Sequence, residues 1–179
     1  MALSSGRGQT ARRRRNPTPK LNPGIEPTRF DAWRSFIQAH GVVIWLMSRE
    51  MTTATHRPLV WFEVLLYLND ADGGLLTMQQ LEDGVTLSQS GLSQLLTRMQ
   101  RARLIQRVRD RRDARRQLVR ITDAGVEQLR AMARVHRASI QRHFADLMSA
   151  EEAATVTTVF QRILEAGRQT RGQLRRGED

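Results

Sequence analysis

The sequence has no cysteine, only one lysine and no long apolar run, and each of these absences excludes something. Without cysteine there can be no disulfide, no thiol-based redox sensor and no cysteine-ligated zinc. No apolar stretch approaches the roughly 20 residues that cross a bilayer. The basic N-terminus lacks the apolar core of a secretory signal. We therefore expect a soluble protein with no membrane partner, and the missing cysteine is compatible with a cytoplasmic location.

The side-chain groupings that carry catalysis are also missing. Carboxylates are scattered rather than paired, and no glycine-rich phosphate loop occurs. His136 and His143 lie seven residues apart on one predicted helix, where a zinc site is conceivable, although half-buried or helix-capping histidines are more common. We expect no enzyme activity, no metal and no cofactor.

Charge is informative because it is concentrated in particular segments. The 179 residues carry a net charge of +11, and Lys20 is the only lysine. Residues 98–120 hold ten arginines against two aspartates, a net +8, and residues 1–29 carry a net +6. A localised positive field of this kind suits a polyanion such as DNA. The simpler alternative is that these arginines form a solvent-exposed face that binds no polyanion.

Residues 1–28 are interrupted by glycine and proline and are interpreted as a flexible basic arm. The run Arg12–Arg15 would lie in a minor groove or along phosphates, or would add only charge. The rest of a chain that is 40% hydrophobic is long enough for one domain, placed at about residues 29–168 and followed by a polar tail at 169–179.

Apolar periodicity predicts the helices of this domain. A helix over about residues 30–55, starting near Asp31, has apolar residues on more than one face and therefore needs cover from a partner subunit as well as from its own domain. A second helix covers Leu59–Leu68 and ends at a turn of glycine, asparagine and aspartate. A short strand at Leu75–Leu76 follows, and then a short helix capped by Thr77.

Residues 87–101 have the pattern of a DNA-reading helix. Leu92, Leu95, Leu96 and Met99 recur at helical spacing and form one buried stripe. The opposite face carries short hydrogen-bonding side chains that can meet base edges in a major groove. The candidate DNA contacts on this helix are Ser88, Gln89, Ser90, Ser93, Gln94, Thr97 and Arg98.

Two short alternating segments, 104–109 and 117–121, predict a β-hairpin beside this helix. The arginine-rich turn between them would place positive charge against phosphate or in an adjacent minor groove. Thr122 then caps a helix that continues to about Leu147. Ser149, with acidic residues in the first turn, caps the last helix, which is expected to fray after Gly167.

The stretch from Phe62 to Gly125 resembles the winged-helix core of the multiple-antibiotic-resistance regulator (MarR) family. The resemblance is carried by ordered motifs within about sixty residues. These are Phe62–Leu66, Leu87–Ser93, Arg98, Leu104–Arg107, Asp113–Arg115 and Ile121–Gly125.

The resemblance implies a mainly α fold, with a winged helix-turn-helix lobe (about 59–121), a small β-hairpin wing and a helical dimerisation layer (about 30–55 and 122–167). It implies a homodimer that binds a near-palindromic DNA site, commonly represses, and responds to a small aromatic or anionic effector. Arg115 matches the wing-tip arginine of the family and Asp113 the residue that orients the wing. Ala114 stands where the family usually has a basic residue, and the neighbouring Arg111, Arg112 and Arg116 could offset this loss of charge. Residues 102–103 also lack the glycine that is frequent at this position in the family.

Aromatic residues with a nearby cation suggest where an effector could bind, although most of them are more simply explained as core or dimer packing. The candidates are Trp33, His40, Trp45, Arg49 and Trp61. The functional alternative to a sequence-specific regulator is an architectural binder that uses the arm and wing mainly for charge.

Overall fold

The computed structural model describes residues 24–85, 87–109 and 117–176, with side chains as far as residue 170. Its helices are α1 (Pro27–Thr55), α2 (Leu59–Asp70), α3 (Met78–Gly84), α4 (Gln89–Arg101), α5 (Asp123–His143) and α6 (Ala150–Arg176). Its strands are β1 (Leu75–Thr77), β2 (Ile105–Arg109) and β3 (Gln117–Ile121). The predicted mainly α, winged-helix fold class is confirmed. The chain divides into two compact units, Met1–Gln38 and Ala39–Asp179.

In the first unit, the described part contains the beginning of α1. The prediction that this helix starts near Asp31 was wrong: Glu26 caps it, because the two carboxylate oxygens accept hydrogen bonds from the backbone N–H groups of Thr28 and Arg29 at 2.9 and 3.0 Å. These bonds satisfy amides that have no partner within the helix and hold the pKa of Glu26 below its ordinary value. The rings of Trp33 and Phe36, 6.0 Å apart, are both exposed.

In the second unit, helices α2–α5 surround a small antiparallel sheet with strand order β1-β3-β2. In the register, Leu76 and Arg107 flank Val119, and Ile105 pairs with Ile121. Val119 and Ile105 are buried on the face that meets the helices. The core continues through the apolar stripes of α2 and α4 to Met47 and Met51 near the end of α1. The core therefore holds the hairpin and α4 against the same helices.

The last helix is longer than the sequence suggested. Helix α6 does not end after Gly167 but continues to Arg176. Seven of the nine residues 168–176 are arginine, glutamine or leucine, which are good helix formers, and the exceptions are Thr170 and Gly172. Glu165 also stabilises this turn by accepting hydrogen bonds from Arg168 and Gln169. No helix in the described residues is long and apolar enough to cross a membrane.

The turn between α4 and β2 is a Schellman motif built on a strained residue. Arg103 has a φ of 61°, its N–H donates to the Gln100 carbonyl, and the Leu104 N–H donates to the Met99 carbonyl. We expect Arg103→Gly to raise the free energy of unfolding by about 1 kcal/mol, because glycine adopts this conformation without steric cost. Denaturant titration measures the change.

Ala102 supplies the matched control for this prediction. It has an ordinary φ of −77°, so Ala102→Gly should lower the free energy of unfolding by a few tenths to 1 kcal/mol. Equal changes in both variants would show that the strain at Arg103 is not significant.

Candidate nucleic-acid interface

Helix α4 is defined by a cap at its start and a buried stripe along one side. The Ser88 hydroxyl accepts a hydrogen bond from the Gly91 N–H at 3.2 Å and lies 3.3 Å from the Ser90 hydroxyl. The four apolar residues predicted to form the buried stripe are at most 1% exposed. No acidic residue occupies the first turn. The polar side of the helix is thus left facing outward and carries no negative charge.

Five residues of this polar side line a shallow groove of about 330 Å³, namely Ser93, Gln94, Thr97, Arg98 and Arg101. Gln94 and the two arginines are exposed, whereas Ser93 and Thr97 are half-buried. Ser88, Gln89 and Ser90 are exposed at the N-terminal end of the same helix. The groove therefore combines an amide that can both donate and accept hydrogen bonds with two guanidinium groups.

Arg101 was not among the residues singled out from the sequence, although it follows Gln94, Thr97 and Arg98 at i+7, i+4 and i+3. Helical spacing alone could have placed it on this face.

Arg107 of β2 is a second residue that the sequence interpretation missed. Its Nη2 donates to the Ser93 carbonyl at 3.3 Å and to Thr97 Oγ1 at 3.4 Å. Thr97 Oγ1 in turn donates to the Ser93 carbonyl at 2.9 Å. The strand of the hairpin is thereby joined by side-chain hydrogen bonds to the middle of α4.

The hairpin strands are present as predicted, but the residues at its tip lie outside the described part of the chain. These are Arg111, Arg112, Asp113, Arg115 and Arg116. Their proposed roles stay predictions. The basic arm before residue 24 also lies outside the described residues.

Of the effector candidates, Trp45 and Arg49 line a cavity of about 670 Å³ between α1 and α5. The Arg49 guanidinium lies 5.5 Å from the centre of the Trp45 ring. His40 and Trp61 are not part of the lining, and Trp33 belongs to the first unit. Trp61 is buried beneath Arg57, whose guanidinium is 4.9 Å from its ring. The described residues thus join two of the five candidates in one cavity.

The far wall of this cavity carries two arginines from α5, Arg134 and Arg142. Glu50 Oε1 lies 2.6 Å from Arg142 Nη1 and 2.8 Å from His143 Nε2. The hydrogen bond with His143 is the main reason that the pKa of Glu50 is lowered. Glu50 therefore offsets the charge of Arg142, whereas Arg49 and Arg134 leave the cavity positively charged.

The two histidines considered for zinc have separate environments. The His136 ring packs on Phe62 with centroids 4.3 Å apart, and burial lowers its pKa. His143 is held by Glu50. No group of three potential metal ligands occurs in residues 24–85, 87–109 and 117–176.

Comparison with known proteins agrees with this architecture. Residues 57–116 match the model of the MarR family. AbsC, a MarR family transcriptional regulator from Streptomyces coelicolor, is 27% identical with a TM-score of 0.74, covering 80% of this chain and 97% of its own. A comparison with curated protein sequences gave no match.

Two further solved structures share the fold at lower identity. Sco3205, a MarR family regulator from the same organism in complex with DNA, is 22% identical with a TM-score of 0.73, covering 79% of this chain and 92% of its own. BpsR of Bordetella bronchiseptica, whose DNA binding is regulated by 6-hydroxynicotinic acid, is 16% identical with a TM-score of 0.65, covering 74% and 98%. With the helix-turn-helix and hairpin, these findings show that residues 57–116 match the MarR family and that the chain shares the fold of MarR family transcriptional regulators.

Proposed function

We propose that the protein is a ligand-responsive, homodimeric repressor that binds a near-palindromic operator. The observation that carries the proposal is the groove on α4, in which an exposed glutamine and two arginines are supported by a fully buried apolar stripe. A DNA-reading helix needs both properties, since its outer face must reach base edges while its inner face fixes its position.

Within this proposal, Gln94 and Arg98 read base edges, because glutamine pairs with adenine and arginine with guanine through two hydrogen bonds each. Ser88, Gln89 and Ser90 approach the DNA at the N-terminal end of α4. Ser93 and Thr97 lie behind them and use part of their hydrogen-bonding capacity within the protein.

The wing arginines, namely Arg111, Arg112, Arg115 and Arg116, bind phosphate, and Asp113 orients them. The crystal structure of the Sco3205–DNA complex supports DNA as the partner. Such binding takes place in the cytoplasm.

The proposal of a homodimer rests on exposed apolar residues in the dimerisation helices. On α6, Ile163 and Leu164 are 61% and 58% exposed, and on α1, Val42 and Trp45 are each 58% exposed. Large apolar side chains exposed on both helices favour cover by a partner over exposure to water. A second copy of the chain covers these residues and places two reading helices on the two halves of one operator.

The cavity between α1 and α5 is the proposed effector site. Trp45 offers an aromatic wall, and Arg49 and Arg134 offer positive charge, which together suit a small aromatic acid. The regulation of BpsR by 6-hydroxynicotinic acid supports a ligand of this class.

Gln94→Ala tests the reading role. The Gln94 amide makes no hydrogen bond to any residue that the structure describes, so the variant should fold normally. We expect affinity for the operator to fall about tenfold or more, and affinity for random duplex to stay unchanged, because one bidentate base contact contributes about 1–3 kcal/mol of discrimination. Competition binding at fixed salt measures both affinities.

Gln100→Ala is the matched control, since Gln100 is also an exposed glutamine of α4 but is not among the residues that line the groove. It should leave both affinities unchanged. If Gln94→Ala weakens binding equally to all sequences, or not at all, α4 does not read DNA in this way. Repression is tested with a reporter gene whose promoter carries the operator. The protein should lower expression of the reporter, and raised expression would indicate activation instead.

A further inference from the structure

We infer that Arg107 is a positioning residue for operator recognition: it joins the first strand of the wing to the middle of the reading helix, so that the helix and the wing meet DNA as one unit. The inference rests on the proposed function, since it concerns how that same interface is held in place.

The direction of the Arg107 side chain follows from strand geometry. Side chains at alternate positions of a strand share a face, so Arg107 lies on the same face as Ile105, beside its buried cross-strand partner Val119. That face packs against α4. The arginine is therefore directed towards the protein rather than outward.

The contacts at the end of this side chain are with α4. The Ser93 carbonyl accepts hydrogen bonds from Arg107 Nη2 and from the Thr97 hydroxyl, in the same turn as Gln94 and Arg98. Hydrogen bonds from a charged donor are stronger than neutral ones, and the planar fork of arginine fixes their direction better than lysine does. Rotation or sliding of α4 relative to β2 would break them.

The burial of Arg107 argues against a simple contact with phosphate. Its Nε is fully buried and has no hydrogen-bond partner among the residues that the structure describes. A buried donor without a partner lowers stability, whereas an arginine that served only to bind phosphate would keep this group in water. The position of Arg107 is thus explained better by the alignment of α4.

The test compares Arg107→Met with Arg109→Met. Methionine keeps an unbranched stem but removes the charge and the donors. Arg109 lies two residues along on the same strand, is exposed, and loses the same charge. We expect Arg107→Met to lower the ratio of operator to random-duplex affinity about tenfold, the size of one misaligned base contact. Arg109→Met should lower both affinities in parallel.

Two further measurements separate positioning from other roles. The slope of log affinity against log salt should stay unchanged in Arg107→Met, whereas the loss of a phosphate contact lowers its magnitude by about 0.9. A purely structural role would reduce the folded fraction and both affinities equally, leaving their ratio unchanged. Thr97→Val, which removes one acceptor of the Arg107 hydrogen bonds, should also lower the ratio, and it carries the test if Arg107→Met does not fold.

Several outcomes would overturn the inference. One is a ratio of operator to random-duplex affinity that stays unchanged in both Arg107→Met and Thr97→Val. Another is a smaller slope of log affinity against log salt in Arg107→Met, which would show that Arg107 binds phosphate. A wild-type protein with no operator preference at any salt concentration would instead overturn the proposed function itself.

Discussion

Gly125→Ala should lower the free energy of unfolding by about 3 kcal/mol, near the upper end of what overpacking usually costs. A Cβ at this position would lie 2.2 Å from the Leu104 carbonyl oxygen and 2.8 Å from Ile121 Cγ1. The Leu104 carbonyl cannot move away cheaply, because it accepts a hydrogen bond from the Thr122 N–H at 3.1 Å. The close approach of α5 to the start of β2 therefore requires a residue without a side chain.

Thermal unfolding measures this effect, and a loss of this size should lower the Tm by about 10 °C. Gly167→Ala is the matched control, since among the described residues no atom outside its own stretch of helix lies within 4 Å of the added carbon. In the interior of α6 it should raise stability by about 0.5–1 kcal/mol. An unchanged Tm in Gly125→Ala would show that the two segments are not in contact as described.

Ile163→Asp should convert the dimer to a monomer and lower operator affinity about a hundredfold or more. A charge placed in the proposed apolar interface is costly to bury. A monomer also loses the advantage of binding the second half-site as an intramolecular event. Light scattering after size exclusion measures the mass, and competition binding measures the affinity.

Gln161→Asp adds the same charge about half a turn around α6 from Ile163 and should leave both mass and affinity unchanged. If Ile163→Asp remains a dimer with full operator affinity, the exposed apolar face of α6 is not the interface. If Ile163→Asp stays dimeric but binds the operator more weakly, Ile163 contributes to operator binding and not to dimerisation.

The parts of the fold that depend on local sequence were predictable. The spacing of Leu92, Leu95, Leu96 and Met99 is sufficient to define the buried face of α4, and all four are buried. The Thr122 cap is confirmed by the hydrogen bond that its hydroxyl accepts from the Gly125 N–H. Periodicity and capping act over a few residues, so the sequence displays them directly.

The errors at helix ends have a different origin. Glutamate is not among the usual N-cap residues, so Glu26 was overlooked as the residue that begins α1. The glycine at 167 suggested an end to α6, yet the arginine, glutamine and leucine residues beyond it outweigh the cost of both Gly167 and Gly172. Both errors concern small free-energy differences between neighbouring positions.

The features of the site that sequence could not supply depend on long-range packing. Arg107 meets Ser93 across 14 residues only because β2 packs on α4. The cavity joins Trp45 and Arg49 to Arg134 and Arg142, which are more than 80 residues away on α5. No local pattern indicates that these cations face one another. Physical proximity of this kind requires the assembled core.

The central claim, that the protein recognises a particular DNA sequence, is tested most directly by selection of bound duplexes from a random pool. We expect enrichment of one near-palindromic sequence whose half-sites lie about 10–10.5 base pairs apart, or a multiple of that spacing. That sequence should be bound about 10³-fold or more tighter than random duplex at the same salt concentration. A pool that shows no enrichment, with equal affinity for all duplexes, would contradict the account and identify an architectural DNA-binding protein instead.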